Sequence, residues 1–191
     1  EAVAMAAAVF ADGRRRKRRP TDVRNIQPAM NDLQTFETFR RESTFSCTTA
    51  ALYAFHGRQD VFALLTPPGS VLQVLADRRT SLQDGDLEFR LWLGPIPVSW
   101  HARHQAGPTA TSFSDVQEEG PLAIWEHTHL VEEAPEKNGE PQARLIDSIR
   151  FRHHPGIAGA FSRVAFGGAT LAFLFSHRHR VTRKIVEKSR E

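Results

Sequence analysis

Phe113-Ser-Asp-Val-Gln-Glu-Glu-Gly-Pro-Leu-Ala-Ile-Trp-Glu-His-Thr-His129 decides the reading of this chain. Gly120-Pro121 punctuates the stretch as a turn between two strands. Side chains alternate between the faces of a strand, so Phe113, Asp115 and Gln117 share one face, and Trp125, His127 and His129 share another. Ionisable groups beside large aromatics on an interior face cost free energy unless something pairs with them. The stretch therefore predicts two strands carrying the polar end of a ligand cavity.

Working outward, the same punctuation recurs. Phe36 to Ser46 is strand-like, Thr48 to His56 helical, and a second short helix runs near Asp60 to Leu65 before Thr66-Pro67-Pro68 stops it. Strands are expected at Val71 to Asp77, through Leu87, Phe89, Leu91 and Leu93, and at Val98 to Gln105, Thr109 to Gln117, Ala123 to Glu132 and Gln142 to Arg152. Such even spacing between turn signals means an antiparallel meander. After Pro155-Gly156, Ile157, Phe161, Val164, Gly168, Leu171 and Phe175 mark one stripe of a long helix, with Gly167-Gly168 predicting a bend or a close backbone approach. The expected class is α+β: a curved antiparallel sheet of about seven strands around a long C-terminal helix, with two short helices between the first and second strands.

Charge and cysteine content exclude several functions. Residues 1–34 hold seven of the 25 Lys and Arg but only four of the 22 Asp and Glu, so residues 35–191 are formally neutral. The folded part lacks the charge excess that draws a protein to nucleic acid. A single cysteine, Cys47, excludes an internal disulfide and a cysteine-rich zinc module, and a cytoplasmic location is expected. No membrane span is expected. Residues 1–34 read as a disordered basic extension ahead of a domain at 35–188. Three readings compete for that extension: sequence upstream of a start at Met30, an Arg-rich and Ala-rich targeting peptide, or a basic tail touching nucleic acid.

From Phe36 to Arg183 the chain resembles the helix-grip superfamily, also called SRPBCC, which includes START domains, the birch-pollen-allergen (Bet v 1-like) fold and polyketide cyclases. It is most similar to an uncharacterised bacterial branch labelled polyketide cyclase-like or "cell division inhibitor". The likeness rests on Phe55-His56, Leu65-Thr66-Pro67-Pro68, Trp100, Phe113-x-Asp115-x-Gln117, Gly120-Pro121, Trp125-x-His127-x-His129, Asp147, Pro155-x-x-Gly and Phe175-Ser-His-Arg178-His179. Leu122 and His177 depart from it, standing where Phe and Tyr are common. The resemblance implies a small-molecule-binding architecture without naming a ligand, and implies an epimerase or short-chain dehydrogenase-like protein as partner, since some members are fused or adjacent to one.

Within this frame the candidate site is built from residues. Asp147 interrupts the apolar face formed by Leu145, Ile149 and Phe151, and needs donors that His127 or His129 supply from a neighbouring strand. That pairing raises a histidine pKa toward or above neutrality. The expected polar contacts to a hydrophobic small molecule are Asp115, Gln117, His127, His129 and Asp147; the expected walls include Trp100, Phe113, Trp125, Phe151, Phe161 and Phe175. Two other readings stand beside ligand binding. The His–Asp network ties strands together and does nothing else, or His127 or His129, oriented by Asp147, acts as acid–base in a cyclase, dehydratase or isomerase. His127-x-His129 with Asp115 or Asp147 also fits a zinc ligand set, but a lone His-x-His is weak evidence, and neither metal nor cofactor is expected.

Overall fold

The structure, a computed structural model, describes residues 36–188. The expected basic extension lies outside the described residues. The element order is β1 (Glu37–Phe45), α1 (Thr49–His56), α2 (Val61–Leu65), β2 (Ser70–Asp77), β3 (Asp84–Leu93), β4 (Ile96–Ala106), β5 (Ser112–Glu119), β6 (Ile124–Lys137), β7 (Glu140–Arg152), α3 (Gly156–Phe166) and α4 (Gly168–Lys188).

Each element begins and ends for a local reason. Thr48 caps α1, its hydroxyl accepting from the Ala51 amide at 3.2 Å. Pro67 follows α2, where a missing amide ends the helix. Gly85 opens β3 at φ 104°, beside the Arg78 carbonyl, a conformation that only glycine adopts freely.

The seven strands form one antiparallel sheet ordered β1-β7-β6-β5-β4-β3-β2, a meander from β2 to β7 closed at one end by β1. The helices cover one face, and two apolar clusters fill the space between. One gathers Phe45, Leu52, Phe55, Val131, Leu145 and Val186 under α1 and the end of α4. The other gathers Trp100, Trp125, Phe151, Phe166, Leu171 and Phe175 under α3 and the start of α4.

Two expectations about the last helix change. The run breaks at Gly167, whose ψ of 169° is extended, giving two helices rather than one bent rod. The buried face of α3 is also not the expected stripe: Gly159, Ser162 and Phe166 are buried, whereas Ile157, Val164 and Phe161 are 92, 79 and 37% exposed. The reason is close approach. A Cβ on Gly159 would lie 1.7 Å from the His154 carbonyl oxygen, so α3 turns its smallest residue inward. His153 Nδ1 then meets the Ser162 hydroxyl at 2.8 Å.

The helical run Gly156–Lys188 is long and apolar enough to cross a membrane by length and composition, with a stretch of mean hydropathy 1.5, which the reading for no span did not anticipate. In the fold α4 instead sets Leu171, Phe175, His179, Thr182 and Val186 in the interior.

Candidate functional site

Strand register builds the site. Phe113, His129 and Asp147 lie in one row across β5, β6 and β7, and Asp115, His127 and Ile149 lie in the next. Adjacent rows put the two histidines and two carboxylates of three strands within reach of one another. From the covering helix, α4 lowers His179 onto the same spot.

Asp147 is 2% exposed and central to this network. It accepts from His127 Nε2 at 3.0 Å and from His179 Nε2 at 2.6 Å. His129 Nδ1 approaches it to 2.7 Å, close enough for an ion pair, yet off the hydrogen-bond axis. His179 Nδ1 pairs with Ser43 Oγ of β1 at 2.8 Å. Asp115 faces the opposite side of His127, with Oδ2 3.0 Å from Nδ1 and 3.6 Å from His129 Nε2. Its other oxygen accepts from Trp125 Nε1 at 3.3 Å.

His127 thus has a carboxylate on each ring nitrogen, an arrangement in which both nitrogens donate only as imidazolium. Burial pulls its pKa down, but the Asp115 charge and hydrogen bond, with those of Asp147, outweigh it and raise it to about 9. The same contacts hold both carboxyls well below the usual range: burial pushes each up, and the neighbouring histidines overcome it. His56 takes the opposite course. Burial, then the His129 charge, lowers it to about 4, so it stays neutral and donates Nδ1–H to the Leu52 carbonyl at 2.9 Å.

Beside the network lies a hollow of about 220 Å³ between the sheet and α3–α4. Leu87, Phe89, Leu91, Leu93, Trp100 and Trp125 form its apolar walls, and His104, Asp115, His127 and Arg178 form its polar end. A smaller hollow of about 50 Å³ adjoins it, sharing His104, Asp115 and Arg178 and adding His56, Phe113 and His129.

Of the residues expected at the site, Asp115, Trp100, Trp125 and His127 reach the main hollow. His129 and Phe113 line the smaller one, where Phe113 stacks on the His129 ring at 4.3 Å between centroids. Asp147 sits behind the histidines that it holds. Phe175 packs edge-on to His127 at 5.1 Å, supporting the ring from below, and Phe151 lies in the apolar core.

Gln117 and Phe161 do not face the cavity. Gln117 clamps the turn instead, donating to the Leu122 carbonyl at 2.7 Å and accepting from the Leu122 amide at 3.4 Å. Strand parity holds at Gln117, which pairs with Ala102 ahead of the register shift at His101, but its amide is drawn to the Leu122 backbone at the end of β5 and so does not line the hollow. Phe161 sits on the outward side of α3, over an open groove lined by Leu75, Ile96 and Pro97.

His104 and Arg178 were missed. His104 continues the inward alternation of Trp100 and Ala102, so parity alone places it. Arg178 sits three residues after Phe175 on the face turned to the sheet, a helical spacing overshadowed by the neighbouring basic residues.

Asp115, His127 and His129 also present one ligand atom each within 4.8 Å of one another, a set able to hold a metal ion. Their chemistry suits zinc, and Asp147 would orient both imidazoles from behind.

No family model matches the sequence, and no curated protein does. Solved structures match in fold. The Zhui aromatase/cyclase from Streptomyces sp. R1128 superposes with a TM-score of 0.61 at 12% identity, over 82% of this chain and 97% of that one. A START superfamily protein from Mycobacterium smegmatis gives 0.56 at 8% identity, over 79% and 97%. A nucleoside-diphosphate sugar epimerase from Corynebacterium glutamicum gives 0.56 at 23% identity, over 76% of this chain but 28% of that one. The fold is the helix-grip fold of START-like proteins, as the seven-stranded sheet and covering C-terminal helix define it.

Proposed function

We propose that this protein binds an apolar or aromatic small molecule in the hollow between the sheet and α3–α4. The observation that carries the reading is the cavity itself: apolar side chains from four strands and three helices leave about 220 Å³ unfilled, with ionisable groups gathered at one end. A core built only for stability closes such a space, because unfilled volume forfeits packing energy. At the close packing of protein interiors the hollow takes a ligand of roughly a dozen non-hydrogen atoms. Trp100 and Trp125 meet edge to face at 5.3 Å and offer their rings to an aromatic guest.

Native mass spectrometry of the protein purified from its own host tests this. A retained small molecule, released on denaturation, supports it; a bare chain that also refuses bicyclic aromatics in solution overturns it.

A second reading is enzymatic, a cyclase, dehydratase or isomerase, and one observation favours it. His127 lines the cavity with a pKa raised to about 9, which suits it to the acid half of acid–base chemistry. Replacing His127 would then abolish turnover while binding survives. The partial match to an epimerase supports a third role, as a module working beside a cytoplasmic oxidoreductase-like partner.

A further inference from the structure

Among the described residues, Arg178 is the only lysine or arginine on the main cavity wall, and it also lines the smaller hollow. Among the described residues its guanidinium has no hydrogen bond or ion pair. Nε is buried without a partner, and the contact it does make is with the Phe175 ring, 5.2 Å from Cζ. Burial opposes its charge and lowers its pKa, while Asp147 and Asp115 favour the charge through space. Neither carboxylate is free to pair with it: Asp147 is taken by His127 and His179, and Asp115 by His127 and Trp125.

A second unmet group stands beside it. His104 Nδ1 donates to the Leu82 carbonyl at 3.1 Å, which leaves the Nε2 lone pair facing inward, buried and without a partner. His104 lines the same two hollows as Arg178. An unsatisfied donor and an unsatisfied acceptor at one end of an apolar cavity mark that end as incomplete without a guest. A guanidinium fork matches a carboxylate in geometry and charge better than a neutral oxygen. Asp115, the acid on the same wall, turns its two oxygens to His127 Nδ1 at 3.0 Å and Trp125 Nε1 at 3.3 Å rather than to Arg178.

Resting on the binding function proposed above, we infer that the ligand is an apolar acid whose anionic oxygens pair with Arg178. The acidic group enters the polar end, and the hydrocarbon or aromatic body lies along Leu91, Leu93, Trp100 and Trp125. Arg178 is a binding residue for the acid, and His104 accepts from any hydroxyl beside it.

The test compares 2-naphthoic acid with its neutral methyl ketone, 2-acetonaphthone, by calorimetry on the full chain. Wild type, Arg178→Met and Arg178→Lys are measured, with urea midpoints confirming that each variant is folded. Wild type should prefer the acid by about tenfold to a hundredfold, the worth of charge-assisted hydrogen bonds in a dry site. Arg178→Met should erase that preference by weakening the acid far more than the ketone, and Arg178→Lys should keep part of it. Equal binding of acid and ketone by wild type, or a preference that survives in Arg178→Met, overturns the inference and leaves the cavity function standing. Failure of both probes to bind defeats the cavity function itself.

Discussion

Replacing Asp147 with asparagine tests the network at its centre. The change keeps the shape, removes the charge, and leaves the His127 and His179 donors facing an amide. Breaking a buried ion pair by removing one partner costs about 3–5 kcal/mol, and more than one imidazole is affected here. The pH profile makes the test sharper. His127 titrates at about 9 in the folded protein against 6.5 as a free residue, so it contributes about 3 kcal/mol that is fully present below pH 6.5. That contribution disappears as pH rises through 9. His56, lowered to about 4, works in reverse, giving stability above pH 6.5 that is lost as pH falls toward 4. The depressed carboxyls of Asp115 and Asp147 add a further loss at lower pH still. Wild-type stability, measured by urea unfolding with tryptophan fluorescence, should therefore peak near pH 6.5 and fall on both sides. Asp147→Asn should lower the peak by about 3–5 kcal/mol and flatten the alkaline limb, because His127 loses one of its two carboxylates. A loss under about 1 kcal/mol, or wild-type stability that rises between pH 6.5 and 9, would refute the reasoning.

Three further outcomes are expected. Gln117→Ala should cost about 1–2 kcal/mol in urea unfolding by releasing the Leu122 turn, with ligand affinity unchanged, since Gln117 does not line the cavity. Ala102→Leu should fill part of the main hollow and weaken 2-naphthoic acid binding at least about tenfold by calorimetry, with the fold retained by circular dichroism. Gly159→Ala should lower the unfolding free energy by about 2 kcal/mol or more, because the new methyl would meet the His154 carbonyl oxygen at 1.7 Å and force the chain entering α3 to shift.

Much of the fold was legible because period-2 alternation and turn chemistry are local signals. Thr48, Pro67 and Gly85 each punctuate an element for reasons that hold within a few residues. The site was half legible for the same reason: parity put Asp115, His127 and His129 inward, and Asp147 declared itself by interrupting an apolar face. Parity also put Gln117 inward, opposite Ala102, but could not show that the Leu122 backbone claims its amide. The apolar stripe failed on α3. Hydrophobicity ranks residues by what they gain from burial, but Gly159 is inside because only a residue without a side chain fits under the His154 carbonyl.

Residue order alone determined the strand alternation, the turns and the pairing of polar with aromatic side chains, since each depends on neighbours a few positions apart. Tertiary structure decided which histidine carries a proton and that Arg178, among the described residues, has no hydrogen-bond partner on its buried Nε. His127 is charged because β5 and β7 bring carboxylates to its two sides, and Arg178 is unmatched because α4 lowers it into a hollow whose acids are already engaged. Charge state and unmet hydrogen bonds are properties of an enclosure, and an enclosure exists only once distant segments have packed.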